Sequence, residues 1–352
     1  RTYDHLLLLN PHLSDMGGVL AFGTIIDFIN EGGNVLLATD SSSSDTIRNL
    51  AIEFSVDFDE QNTIVRDQFN SVNDIGTVIK VTNFDSENHL YDNGNFNPTK
   101  DSIVFSGIAH RLTGRNAFVR SVASANYTAL SYDIADFGTL VGVPMSGEDI
   151  SIASVLQARN NARVGFVGST KLFSNEYFKH EGFQNKEFAE SLTKFVFQES
   201  GVIRQVKFYH HNKDEDYQKG IYLIKENVEF ELTLEQWNSK NNKWVPFLPE
   251  DIQLDITMLD PHIRKTFKNK DSKSLHIIEA LPDVYGVFTY RILYRRKGYS
   301  YIEHDEQVQI RPLRHDQYPR FLPHAWPYYF NVWSLFGGFW IISAATLLHS
   351  SK

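Results

Sequence analysis

The chain has 352 residues, 42% of them hydrophobic, which is enough for two packed cores and excludes an intrinsically disordered protein. Its 43 acidic and 34 basic residues give a formal charge of −9, which disfavours a nucleic-acid groove, where affinity comes from neutralising phosphates. There is no cysteine, so disulfides, thiolate metal sites and a cysteine nucleophile are excluded.

Arg1 leads straight into "TYDHLLLLNP", without a start Met or signal peptide, and the chain is expected to begin mid-domain. The apolar run His5–Asn10 predicts a strand buried on both faces, as in a parallel sheet. Val19, Leu20, Phe22, Ile25, Ile26, Phe28 and Ile29 recur at helical spacing, and Gly32-Gly33 ends that helix. Asn34–Thr39 is the next strand, followed by a second helix carrying Ile47, Leu50, Ala51 and Phe54, with Ser44 or Asp45 as its cap. Strand and helix in alternation predict an open, doubly wound α/β sheet. Residues 70–100 have no clear period. Ile152–Leu156 and Val164–Val167 are apolar runs around a basic, Asn-rich turn, Gln157–Arg163, which suits a hairpin. "KEFAESLTKFVFQES" then places Phe188, Leu192, Phe195 and Val196 on one helix face, with Gly201 ending the segment.

From 202 to 315 the period changes to two. Val228, Phe230, Leu232 and Leu234 alternate with polar residues; so do Ile252, Leu254, Ile256 and Met258, and Phe288, Tyr290, Ile292 and Tyr294. A turn at Arg296-Lys297-Gly298 leads into a returning strand that ends at Ile310. Half-buried antiparallel strands, about five to seven of them, predict a β-sandwich. Residues 311–327 carry four prolines and form a short, stiff link. No Lys, Arg, Asp or Glu occurs from Phe321 to Ser351, and within that stretch Tyr328–Leu348 is 21 residues long. At about 1.5 Å per residue this is roughly 30 Å, a bilayer core, and Trp326, Tyr328 and Tyr329 stand where an interfacial aromatic belt belongs. The expected organisation is an α/β domain over 1–201, a β-sandwich over 202–315, a linker over 316–327, a transmembrane helix over 328–349 and the start of a tail at 350–352.

Candidate chemistry is sparse. The loop "NVLLATDSSSSD" (34–45) falls at a strand end, where open α/β sheets keep ligands, and its serines could serve as a nucleophile or an anion cradle. No G-x-S-x-G elbow or Walker pattern accompanies it, so it reads as a polar helix-entry loop. "YHHNKDEDY" (209–217) offers histidines and acids, but adjacent His210 and His211 point to opposite faces of a strand, and no further ligand appears at a recognised spacing; the expectation is an exposed loop. Asp57, Asp59 and Glu60 read as a solvated turn rather than a carboxylate pair. Gly165 and Gly168 fall short of a dinucleotide fingerprint and suit close packing. Asn126-Tyr127-Thr128 is the one glycosylation sequon, since Pro98 blocks Asn97. In the apolar span, Ser334 and Gly338 form a small-xxx-small pair beside Gly337, with Ser343 and Ala344 further on, which suits a partner helix. No cofactor or metal is expected.

Several stretches carry a resemblance: "EGGNVLLATDSSSSDTIRNLAIEFSVDFDE", "SVLQARNNARVGFVGSTKLFSNEYF" with its "LQARNNARV" core, "WVPFLPEDIQLDITMLDPHIR", and "IRPLRHDQYPRFLPHAWPYY". In this order, over nearly the whole chain, they resemble the non-catalytic subunit of the eukaryotic oligosaccharyltransferase complex that in yeast is the wheat-germ-agglutinin-binding-protein family. The resemblance implies a type I protein of the endoplasmic reticulum membrane, luminal in bulk, in a complex that moves a preassembled glycan from dolichyl diphosphate to Asn of N-x-Ser/Thr sequons. It implies an amidotransferase-like sheet lacking its nucleophile, catalysis by a different subunit, and partners among the other subunits and the membrane lipids. It also implies an N-terminal segment ahead of "TYDHLLLLNP". Arg311, Arg314 and Arg320 before the span, against Lys352 after it, would alone place the N-terminal side in the cytosol; the resemblance favours the lumen. Two other readings stand beside it: a membrane-tethered α/β hydrolase or transferase using Asp40 and Ser41–Ser44, and a module that binds glycan or acceptor polypeptide.

Overall fold

The computed structural model describes residues 2–12, 17, 22–85, 89–91, 96–114, 116–134, 145–180, 182–215 and 217–349. Val19, Leu20 and the tail at 350–352 lie outside them.

The first region is mixed α/β. Helix α1 (Phe22–Asn30) buries Ile25 and Ile29, and Gly32, at φ +90°, turns the chain out of it. Next comes the strand Asn34–Ala38, buried at every position. Its side chains alternate between two cores: Val35 and Leu37 join the cluster built on α1 and helix α2 (Asp45–Glu53). Leu36 and Ala38 join the cluster built on helix α4 (Asn185–Val196), through Phe188, Leu192, Phe195 and Val196. A short helix, α3 (Asn175–Phe178), precedes α4. A continuous apolar strand is what a sheet covered on both faces requires.

Two expectations need correcting here. The sheet is not parallel throughout. His5–Leu8 and Arg163–Val167 flank the 34–38 strand in parallel, but the 151–157 strand beyond them and its further neighbours run antiparallel. The His5–Leu8 strand is not buried on both faces either: it stands at the sheet edge and all four residues are half-buried or exposed. The 151–157/163–167 hairpin is present as expected, with Gln157 opposite Arg163. Gly165 and Gly168 do allow close packing. A Cβ on Gly165 would meet Leu36 and Val196 side-chain carbons at 2.8 Å, and one on Gly168 would stand 2.1 Å from Ile108 O.

The second region contains two five-stranded sheets, of order 203–212, 227–238, 275–280, 268–269 (with 243–246 on the 227–238 strand) and of order 221–223, 302–311, 286–294, 253–257, 261–266. The alternating residues Val228, Phe230, Leu232, Leu234, Leu254, Ile256, Phe288, Tyr290 and Ile292 from both sheets meet in one hydrophobic cluster. Ten strands exceed the expected five to seven because several, such as 221–223 and 268–269, are too short to show alternation. Residues 209–212 are strand, not loop, because they pair with 228–231, and His210 is 1% exposed.

Helix α5 (Trp326–His349) closes the described chain and buries none of its residues. It is 24 residues long and, counted from Pro323, forms one apolar helical stretch long enough to cross a membrane.

Candidate functional site

At the end of the 34–38 strand, the bonded polar groups of the serine loop serve its own turn, the neighbouring chain and the α2 cap. Asp40 Oδ1 accepts from Ser41 N at 2.7 Å, Asp40 O accepts from Ser43 N, and Ser41 O accepts from Asn62 N. Ser44 is the N-cap of α2, its Oγ accepting from Ile47 N. Thr39 Oγ1 and Ser43 Oγ are buried without a partner. The loop therefore shapes a helix entrance, as its sequence suggests.

The acids Asp57, Asp59 and Glu60 do come together, with Asp45, in an open cleft of about 550 Å³. Only Asp57 departs from the expected solvated turn; Asp59 and Glu60 lie past the strand end at a turn, with Glu60 exposed. Asp57 belongs to the strand Val56–Phe58, whose Val56 and Phe58 are buried, and it takes a forked contact from Arg111 (Nε 3.0 Å, second nitrogen 2.9 Å). Asp45 pairs with Arg48. Cross-strand register fixes Asp57 opposite Arg111, which linear spacing could not show.

Sequence reasoning missed a serine–histidine contact: His110 Nε2 lies 2.7 Å from Ser154 Oγ. Both are fully buried, His110 Nδ1 has no partner, and burial pushes the imidazole down to about 3. A neutral imidazole sealed under Phe58, at 5.0 Å between rings, satisfies a core hydroxyl and offers no access to a substrate.

In the second region, His210 and His211 do point to opposite faces. His210 Nδ1 lies 2.7 Å from Tyr222 Oη, its Nε2 3.2 Å from Glu306, and burial lowers its pKa against the pull of Glu306. His211 gathers with Glu229 and Glu231, ligand atoms within 4.8 Å, through a register that sets Glu229 opposite His211. That grouping also escaped linear spacing. Lys270 Nζ already pairs with both glutamates, at 2.8 Å from Glu229, so the cluster is an ion-pair network with its cation supplied by the chain.

The most constrained polar site is where the two regions meet, and it is built from the "LQARNNARV" turn. Arg163 is fully buried at the start of its strand. It donates to Phe195 O (2.7 Å), Ser200 O (2.6 Å) and Gly201 O (3.1 Å) and stacks 4.1 Å from the Phe195 ring. Burial, then nearby Arg120, lowers its pKa to about 9. Gln157 Nε2 donates to Tyr299 O at 2.7 Å, Asn161 exchanges bonds with the Tyr301 backbone, and Ser300 N donates to Gly201 O. Gly201, at φ +65°, does not end α4, which stops at Val196; a Cβ there would stand 1.9 Å from Gly298 O. The Asn-rich turn is thus a clasp, which explains so distinctive a motif away from any chemistry.

In the sequon, Asn126 Nδ2 donates to Lys80 O at 3.1 Å and Thr128 Oγ1 donates to Asp67 Oδ2 at 2.7 Å, while Tyr127 is 80% exposed. Along α5, a Cβ on Gly337 or Gly338 meets nothing within 4 Å, and Ser334 bonds back to Asn331 O. At about 100° per residue, Ser334, Gly337, Gly338 and Ala344 fall on one side of the helix and Ser343 on the other.

Comparison with known proteins gives these features a family. The model of the OST48 N-terminal domain matches residues 1–199 and that of the OST48 middle domain residues 210–350. The zebrafish (Danio rerio) dolichyl-diphosphooligosaccharide–protein glycosyltransferase 48 kDa subunit is 35% identical, over 98% of this chain and 80% of its own length. The 48 kDa subunits of Caenorhabditis elegans (35%; 99% and 80%) and Arabidopsis thaliana (32%; 99% and 82%) are similar to the same extent. Among solved structures, alpha-L-fucosidase isoenzyme 2 from Paenibacillus thiaminolyticus covers 87% of this chain and 40% of its own at 10% identity and a TM-score of 0.30, too weak a likeness to carry an argument. With both family models matched in order and relatives similar along nearly its whole length, the chain belongs to the family of the 48 kDa subunit of dolichyl-diphosphooligosaccharide–protein glycosyltransferase.

Proposed function

We propose that the chain is a non-catalytic, structural subunit of an oligosaccharyltransferase, the complex that transfers a preassembled glycan from dolichyl diphosphate to Asn of N-x-Ser/Thr sequons. In this reading it is a single-pass type I protein of the endoplasmic reticulum membrane with its bulk in the lumen. Its units are an amidotransferase-like α/β domain over 1–201 without a nucleophile, a β-sandwich over 202–315, a linker over 316–327 and a transmembrane helix over 328–349. The observation that carries the reading is where the polar groups go. Ser44 caps a helix, Asp57 answers Arg111, His110 and Ser154 are sealed in a core, and the most elaborate hydrogen-bonded site, around Arg163, joins two parts of the chain. A sheet that keeps its architecture while its polar residues serve packing suits a scaffold.

Helix α5 supports the partner side of the reading. It buries none of its residues against this chain, so lipid and other helices are left to cover its apolar surface. Ser334, Gly337, Gly338 and Ala344 form the side a partner helix would approach most closely. Asn126 is the proposed glycan acceptor. Modification there occurs before its turn folds, because the folded Asn126 amide and Thr128 hydroxyl are committed to Lys80 and Asp67. The test is withdrawal of the chain from cells that make the complex. The expected result is loss of the intact assembly on native gels together with loss of glycan transfer. Glycan transfer by the purified full chain alone would contradict the reading.

A further inference from the structure

The two ends of the second region are used differently. At one end the turn 295–301 meets the α/β region through Tyr299, Ser300 and Tyr301. At the other end the strand Ile302–Arg311 finishes and the chain leaves for α5. The register of this sheet, Thr257 with Thr289 and Gly286 with Ile310, sets the 258–260 hairpin tip and the 281–286 loop at that same departing end. The two loops touch: a Cβ on Gly286 would stand 2.9 Å from Met258 Sδ. They carry apolar residues in the open. Leu259 is 93% exposed and Tyr285 69%, with Val287 and Ile221 beside them, 58% and 51% exposed, in the cross-strand row Val287–Gln309–Ile221. A side chain as exposed as Leu259 at a hairpin tip packs on nothing in this chain.

The stem between this end and α5 is short in effect. Gln317 Oε1 accepts from Arg311 and from Arg314 N, at 3.1 and 3.0 Å, folding residues 311–317 back on the strand end. Phe321 stacks on Tyr329 of α5 at 5.0 Å, and Leu322 N donates to Tyr329 Oη. Only residues 318–320 join the two anchored ends, and four steps from Gln317 to Phe321 span at most about 14 Å. The aromatic start of α5 is therefore tied close to the sheet end that carries Leu259 and Tyr285. An aromatic and an aliphatic side chain exposed on loops held near a bilayer surface have the chemistry that enters the headgroup layer.

We propose that the loops bearing Leu259 and Tyr285 form a second membrane contact, inserting into the headgroup layer beside the span and fixing the tilt of the second region on the bilayer. The proposal rests on α5 crossing the bilayer. It is tested with the full chain in phosphatidylcholine vesicles. Because the chain has no cysteine, single Leu259→Cys, Tyr285→Cys, Lys240→Cys and Phe339→Cys variants each take one environment-sensitive fluorophore. The quenchers are lipids bearing a nitroxide at the headgroup or deep in the acyl chain. Labels at 259 and 285 are expected to be quenched at least twofold by the headgroup nitroxide, the label at 339, in the middle of α5, by the acyl nitroxide, and the label at 240, on the turn at the far end, by neither. Quenching at 339 with 259 and 285 as silent as 240 overturns the loop contact and leaves these side chains to a protein partner. A silent 339 overturns the span itself and, with it, the proposal.

Discussion

At the junction, three backbone carbonyls converge on one guanidinium and Gly201 leaves no room for a methyl group. Along α5, no residue is buried and a Cβ added to Gly337 or Gly338 would meet nothing within 4 Å outside the helix's own backbone. The junction meets most of its polar needs within the chain, as a buried cation requires, with Arg163 Nε alone of the guanidinium nitrogens lacking a partner. Helix α5 instead buries nothing against the chain, and in the proposed reading lipid and other chains supply its neighbours. Substitutions at the junction should therefore act on folding of this chain, and substitutions in α5 on assembly.

The strongest way to break this contrast is Arg163→Met. It leaves Ser200 O without its donor, removes one of two donors from Phe195 O and Gly201 O, and should cost about 4 kcal/mol of stability. Denaturant unfolding of the full chain in detergent, with proteolysis near residue 200, checks it; an unchanged midpoint would mean the junction is not a closed site. Gly201→Ala comes next. It adds a Cβ 1.9 Å from Gly298 O at a positive φ, and a loss of about 3 kcal/mol is expected in the same measurement.

Acid should loosen both regions. His110 is held down to about 3 by burial, and His210 is also lowered, by burial, against Glu306. Both folded values lie below the unfolded one near 6.5, so the stability gained by keeping these rings neutral is complete above pH 6.5 and lost as pH falls toward the folded values. A drop of about 2 kcal/mol between pH 6.5 and 5 is expected from His110 alone. His110→Gln should flatten that slope in a melting series across this range; an unaltered slope would assign the effect to other groups. The smallest effect on the chain itself is Gly338→Leu, with stability unchanged within about 0.5 kcal/mol. Recovery of the assembled complex in detergent should nevertheless fall severalfold, since nothing in the chain opposes the new side chain. Unchanged recovery would remove this face of α5 from the interface.

How far the sequence speaks follows from the range of each interaction. The 34–38 strand, α2 with its Ser44 cap, the 151–167 hairpin and the apolar face of α4 depend on residues within one turn or one strand, and all were legible. So was α5, whose composition alone sets it apart. The edge position of His5–Leu8, the antiparallel part of the sheet, the strand at 209–212 and the Asp57–Arg111 and His211–Glu229 pairings depend on cross-strand register, which linear spacing does not carry. The "LQARNNARV" turn stood out as a string, but Gln157, Asn161 and Arg163 meet their partners 32 to 142 residues away, so its work as a clasp appeared only in three dimensions.

The central claim, that this chain supports the transferase without performing its chemistry, is tested most directly on the loop where an open-sheet enzyme would act. Asp40→Asn combined with Ser41→Ala and Ser42→Ala leaves the Ser44 cap in place and strips the candidate reactive groups. Glycan transfer per assembled complex should be unchanged, whereas a tenfold or greater fall with assembly intact would contradict the account.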